Sequence, residues 1–275
     1  MLGQKLLKNL LLMLIAVPVG NINAEIDLTG EWAPRYHEDL PERIPGPSIG
    51  EFHGIPINEA ARIRGESWDS SILSVPEHQC KPHPADYATR GPSHMRIWKT
   101  LDRASQQVTA IRLHISWSAS ERTIWMDGRE HPPDYGAHSW HGFSTGIWEG
   151  DQLTVTTTHL KQGWLRRNGL PRSEKAILRE HFIRHGNYLT HISIIEDDVF
   201  LTEPFIRSQN WVLEPFQQIG PYLCEIAVEV DRPQGIVPHY LFDQNPFLNE
   251  YATRHGIPIE AAMGGAETMY PGFIE

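Results

Sequence analysis

The chain has little cysteine, with two residues in 275. It contains no C-x-x-C pair and no H-E-x-x-H string, so the short spaced motifs of zinc ribbons and zincins are excluded. It has no run of Lys or Arg either. With 34 acidic against 24 basic residues, the formal charge is −10. Such a chain is a poor polyanion binder, which disfavours nucleic acid and anionic membrane surfaces as partners. Long hydrophobic runs are missing beyond the first two dozen residues, so no later segment reads as a bilayer span or predicts stable membrane insertion.

What is present begins with an export-like leader. Lys5 and Lys8 precede an apolar run from Leu10 to Val19, followed by the small-residue ending Ile22-Asn23-Ala24. This layout predicts a signal peptide over 1–24, cleavage before Glu25 and a periplasmic or secreted location. A membrane anchor needs about 20 apolar residues, and this run stops sooner, at Pro18, Gly20 and Asn21. Behind such a leader, Cys80 and Cys224 read as one long-range disulfide, with two free buried thiols as the alternative.

From Ser93 to about Val230 the chain is a series of β-favouring runs with turn signals between them, among them HMRIWKTL, QVTAIRLHISW, ERTIWM, DQLTVTTTHL, AILREHFIRH and YLTHISII. VFLTEPFIR and WVLEPF read as two further strands. Asp127-Gly128, Glu149-Gly150-Asp151 and His185-Gly186-Asn187 suit hairpin turns, because Gly, Asn and Asp tolerate positive φ. The expectation is an all-β domain over 93–230: an antiparallel, lipocalin-like β-barrel or strongly curved sheet of about eight to ten strands. A Pro/Gly-rich N-terminal arm (25–92) carries a short helix around Asn58 to Trp68. A C-terminal arm (231–275) carries another, with Asn245 as N-cap, Pro246 at its first position and Gly256 as its stop. GIPINEAA at Gly54 and GIPIEAA at Gly256 use the same helix-start grammar twice.

Gly142-Phe-Ser-Thr-Gly146 matches the G-x-S-x-G pattern of serine hydrolases, but an elbow needs a helix after the serine. Here a turn and a threonine-rich strand follow, so Ser144 reads as part of a hairpin and not as a nucleophile. The strings RTIWMDGREHP (Arg122 to Pro132) and GFSTGIWEGDQLTVTTT (Gly142 to Thr158), with the later Glu180-His181-Phe182, resemble a family of exported bacterial β-rich proteins in which these motifs recur. The resemblance covers about Cys80 to Pro204. It implies export and a barrel-like body, and supplies no activity and no catalytic residues.

Fifteen histidines is many for this length. His114, His159, His181 and His191 fall in four different strands, and alternate positions on a strand share a face. His159 alternates with Leu153, Val155 and Thr157, which places it on the apolar face. His114 lies opposite Ile111, Leu113 and Ile115, hence outside. His181 and His191 are ambiguous. In a barrel, His159, His181 and His191 become the candidate acid/base groups, able to change charge near neutral pH. Half-buried histidines with ordinary hydrogen bonds are the plain alternative. Nine tryptophans are present. Trp117, Trp125 and Trp148, with Arg122, are the candidate ligand contacts, against ordinary core packing. No metal or cofactor is expected. The reading that follows is an exported barrel enzyme acting on a small hydrophobic or aromatic molecule by histidine-centred chemistry, with a non-catalytic lipocalin-like binding protein as the rival.

Overall fold

The computed structural model describes residues 26–35, 46–90, 93–227, 233, 237 and 239–273. The leader over 1–24 lies outside the described residues. Nine strands form a closed barrel. In chain order they are β1 (Gly30–Arg35), β2 (Met95–Leu101), β3 (Val108–Ile115), β4 (Ser120–Trp125), β5 (Phe143–Glu149), β6 (Gln152–Thr158), β9 (Ile177–His185), β10 (Tyr188–Glu196) and β11 (Phe205–Leu213). A separate two-stranded ladder joins β7 (Gly163–Trp164) to β8 (Pro171–Arg172). The order around the barrel is β1-β11-β10-β9-β6-β5-β4-β3-β2. The fold is therefore the expected β-barrel, and it is closed.

The alternation seen in the sequence sets the two faces. In β6 Leu153, Val155 and Thr157 point inward and Thr154, Thr156 and Thr158 outward, a β-branched pattern that suits a half-buried strand. In β9 Leu178, Glu180 and Phe182 are the inward set. The inside is filled mostly by Trp32, Met95, Ile97, Ile111, Leu113, Ile124, Val155, Phe182, Leu189 and Trp211, all buried. Full burial of an apolar side chain is worth about 1.5–3 kcal/mol each, so this packing carries much of the stability.

Three features depart from the expectation. First, β4 and β5 run parallel, with Ile124 opposite Ser144. The Asp127-Gly128 step does not close a hairpin. Pro132 and Pro133 lack the N–H that a ladder needs, so the chain leaves the sheet and crosses outside before re-entering at Phe143. The other two predicted turns do close hairpins, at Gly150 (φ +64°) and Gly186 (φ +59°). Second, the barrel takes a strand from the N-terminal arm. Trp32 is flanked by Leu213 on one side and Met95 on the other, so β1 is the closing strand. Third, the runs around Phe205 and Trp211 are one strand.

The rest of the N-terminal arm plugs the barrel end where Leu178 and Ile195 lie. Phe52, Ile55, Ile57 and Ala61 pack there with Leu165, Leu170 and Leu201. Helix α1 (Glu59–Glu66) starts at Asn58, whose side chain accepts from the Ala61 N–H at 3.0 Å. A one-turn helix α2 (Ala85–Ala88) brings Asp86 onto Arg172, both fully buried, at 3.2 Å. Glu51 pairs with Arg166 at 2.6 Å in the same region. In the C-terminal arm, α3 (Glu250–His255) begins later than the sequence suggests. Asn245 caps only the turn at Phe247, while its amide donates to the Trp68 carbonyl at 2.9 Å. Gly256 (φ +63°) ends α3, and α4 (Ile259–Ala262) follows. Cys80 and Cys224 form the disulfide, with Cα atoms 5.6 Å apart and a sequence separation of 144.

Candidate functional site

Two polar or aromatic constellations stand out, one inside the barrel and one outside it. The inner one gathers residues from five strands, β4, β5, β6, β9 and β10. The Arg122 guanidinium donates from Nη1 to Glu180 Oε1 at 2.9 Å and from Nη2 to Glu180 Oε2. Its Nε donates to Ser144 Oγ at 3.0 Å, and Nη2 also reaches Thr157 Oγ1 at 2.5 Å. His191 Nε2 lies 3.0 Å from Glu180 Oε1. Burial alone would raise the Glu180 pKa, but the Arg122 charge and the His191 hydrogen bond outweigh it and hold the carboxyl down at about 2. Glu180 is thus an ionised acceptor enclosed by its partners, a counter-ion and not a proton donor at neutral pH. Arg122, Ser144 and Glu180 belong to three separate sequence motifs, and they meet at this pair.

Near the same barrel end, Ser120 Oγ lies 3.5 Å from both ring nitrogens of His141. Equal distances put the hydroxyl opposite the carbon between the nitrogens, which is not the in-line geometry of a serine activated by a histidine. Burial, helped by the Arg122 charge, lowers the His141 pKa to about 4. His83, stacked 5.9 Å from Trp117, is lowered to about 4 by burial and then by the Arg167 charge.

The three candidate histidines do not converge. Only His191 points into the barrel. His181 is on the outer face of β9, where Nδ1 meets Gln152 Nε2 at 2.8 Å and Thr154 Oγ1 at 3.1 Å. His159 was expected to continue the inward face of β6, but that strand ends at Thr158 and His159 takes φ +57°, which breaks the alternation. Its Nε2 lies 2.9 Å from the Pro133 carbonyl, so that nitrogen carries the proton. Thr158 Oγ1 lies 2.7 Å from His159 Nδ1 and 2.8 Å from His131 Nδ1, and His131 Nε2 meets Thr145 Oγ1 at 2.8 Å. With neutral rings, one directed chain satisfies every contact: Thr145 donates to His131, His131 to Thr158, Thr158 to His159, and His159 to Pro133. His159 is therefore a pin that holds the β4–β5 crossover on the outer wall.

The candidate ligand tryptophans also scatter. Trp117 and Trp148 pack against the barrel core. Trp125 lies on the outer face under the Arg129 guanidinium, 3.5 Å from the ring centre. Trp148 lines a depression of about 510 Å³ with Val108, Met126 and Ile147. Arg122 is interior and fully engaged.

The outer constellation was not anticipated as a site. Trp68, Trp140 and Trp164 converge on a groove of about 500 Å³ between the arms and the β6–β9 connection. Trp68 and Trp164 meet edge to face at 5.1 Å, and His78 tilts against Trp164 at 5.8 Å. Trp68 can sit so close because residue 169 is glycine: with φ +85°, a Cβ there would lie 2.2 Å from the Trp68 ring. Arg64, Asp69, Gln162, Val237 and His239 complete the walls. The disulfide lies beside it in sequence, two residues after His78, and Gln79 clamps Ala227 with two side-chain hydrogen bonds of 2.6 and 2.7 Å. The signal missed in the sequence was Trp68, at the end of the predicted helix in the arm.

Among the described residues no group of three His, Cys, Asp or Glu is placed to hold a metal ion, and no helix is long and apolar enough to cross a membrane. In comparison with known proteins, no family model and no curated sequence matches the chain.

Proposed function

We propose that this is an exported, non-catalytic binding protein for a small aromatic or hydrophobic molecule, with the tryptophan groove as its ligand site. The observation that carries this reading is the convergence of Trp68, Trp140 and Trp164 on one concave surface of about 500 Å³. That volume is in the range of small-molecule sites, which are lined mainly by apolar and aromatic groups with a few polar ones. Rigid indoles give large contact area at low entropic cost. Export is supported by the leader pattern over 1–24 and by the disulfide, since such bonds persist in oxidising compartments.

Histidine-centred catalysis has weaker support. It needs a histidine and a partner within reach of a substrate, yet Glu180 and His191 are almost wholly enclosed, at 0% and 2% exposure. His159 and His181 are committed outside the barrel. The binding reading is tested by calorimetric titration with a neutral two-ring probe, 2-naphthamide. Saturable binding that is weakened at least fivefold by Trp140→Ala supports it. No heat of binding, or binding untouched by that substitution, overturns it.

A further inference from the structure

We infer that the groove takes an aromatic molecule bearing an anionic group, such as a carboxylate; this rests on the binding reading above and adds the charge of the ligand to it. The protein as a whole is acidic, with a formal charge of −10. An anion approaching it meets an unfavourable field, so anion binding demands a local reversal of sign. The groove supplies one. Arg64, exposed in the last turn of α1, lines it, and among the described residues its guanidinium has no ion-pair partner. Lys81 and Lys161 hold their ammonium groups 5.5 and 5.4 Å from the centre of the Trp140 ring, which itself lines the groove.

The single carboxylate among the lining residues does not cancel these cations in the simplest way, by pairing. Asp69 is turned back onto its own chain, where Oδ1 accepts from the Ser71 N–H at 2.9 Å. His78 and His239 add ring nitrogens to the walls. A guanidinium fork matches a planar carboxylate in two-point geometry, and the indoles supply the surface on which the attached ring stacks. A cationic aromatic ligand is disfavoured for the converse reason, because the Trp140 face that would attract it is already attended by two lysines.

The test compares three probes of one shape by calorimetry on the full oxidised protein: 2-naphthoate, neutral 2-naphthamide and 2-naphthylmethylammonium. The expected order is naphthoate tightest by about tenfold, the size of one charge-assisted contact at a partly exposed site, then naphthamide, then the ammonium. Arg64→Gln with Lys81→Gln changes two side chains outside the core. It should bring the ratio of naphthoate to naphthamide affinity down from about tenfold to about one. Equal affinity for naphthoate and naphthamide in the native protein overturns the inference and leaves the groove standing as a ligand site. Discrimination that survives in the double variant overturns it too. If none of the three binds, the groove is not a ligand site and both readings fall together.

Discussion

Arg122 and Glu180 form a two-point ion pair inside the barrel, at 6% and 0% exposure, joining β4 to β9. Breaking such a pair from one side leaves a buried charge without its partner, which costs about 3–5 kcal/mol. Glu180→Gln should therefore lower the urea midpoint sharply. Adding Arg122→Met should restore much of the loss, because two neutral groups can occupy the space without an uncompensated charge. A double variant as unstable as the single one would show that the pair is not the source of the effect.

Stability should fall in two steps on acidification. His83 and His141 have folded pKa values of about 4 against 6.5 when unfolded, so the unfolded chain binds more protons between those values. Their contribution is complete above pH 6.5 and is lost as pH falls toward 4, on the order of 1–3 kcal/mol per histidine. Glu180 acts lower. Its folded value of about 2 lies below the ordinary 4.5, so its stabilisation holds above pH 4.5 and drains away as pH falls toward 2. Urea unfolding from pH 8 to 3 should show both steps, with His83→Phe and His141→Phe flattening only the upper one.

Ser144→Ala should leave groove binding unchanged and cost about 1–2 kcal/mol of stability, since its hydroxyl serves Arg122 at 3.0 Å and Thr157 at 2.9 Å. A serine-reactive phosphonate should not label it. His159→Ala should free the crossover that contains Pro133, seen as faster amide exchange at 131–140.

Much of this was legible in the sequence through a single device, the two-residue period. The β-favouring runs marked seven of the nine barrel strands, with β11 read as two, and the turn after Trp148 put Ser144 in a hairpin. The period also sets Glu180 in alternation with Leu178 and Phe182, and Arg122 with Ile124, so the string itself carries opposite charges on two apolar faces. What failed was whatever period cannot encode. β1 carries Gly30 and Pro34 in a Pro-rich flank, and its strand identity comes only from its neighbours. His159 follows the alternation in the string yet breaks it in space, because one positive φ turns the side chain away. The groove draws on Trp68, Trp140 and Trp164, which are far apart in the chain and share no local pattern.

Replacing either cysteine by serine should lower the melting temperature markedly. The bridge spans 144 residues, and closing a loop of that size is worth roughly 4–5 kcal/mol in the chain-entropy account. Free-thiol titration of the unfolded, unreduced native chain should find no thiol.

Gly169→Ala should weaken ligand binding at the groove and destabilise the protein, because the new methyl would overlap Trp68 and require a strained backbone. Gly150→Ala is the control: it shares the positive φ but meets nothing within 4 Å, so its cost should be the smaller and binding should not change.

The position of β1 has a consequence for how the chain matures. One of its partners, β2, follows some 65 residues later, but the other, β11, arrives about 180 residues after it. Until β11 emerges, the partly made sheet carries open edges of the kind that recruit other chains. The last ladder to form is then the least local one, so assembly is slow by topology. A chain with this connectivity is most exposed to aggregation while it is nearly complete, and the exposure ends only when the last strand made pairs with the first.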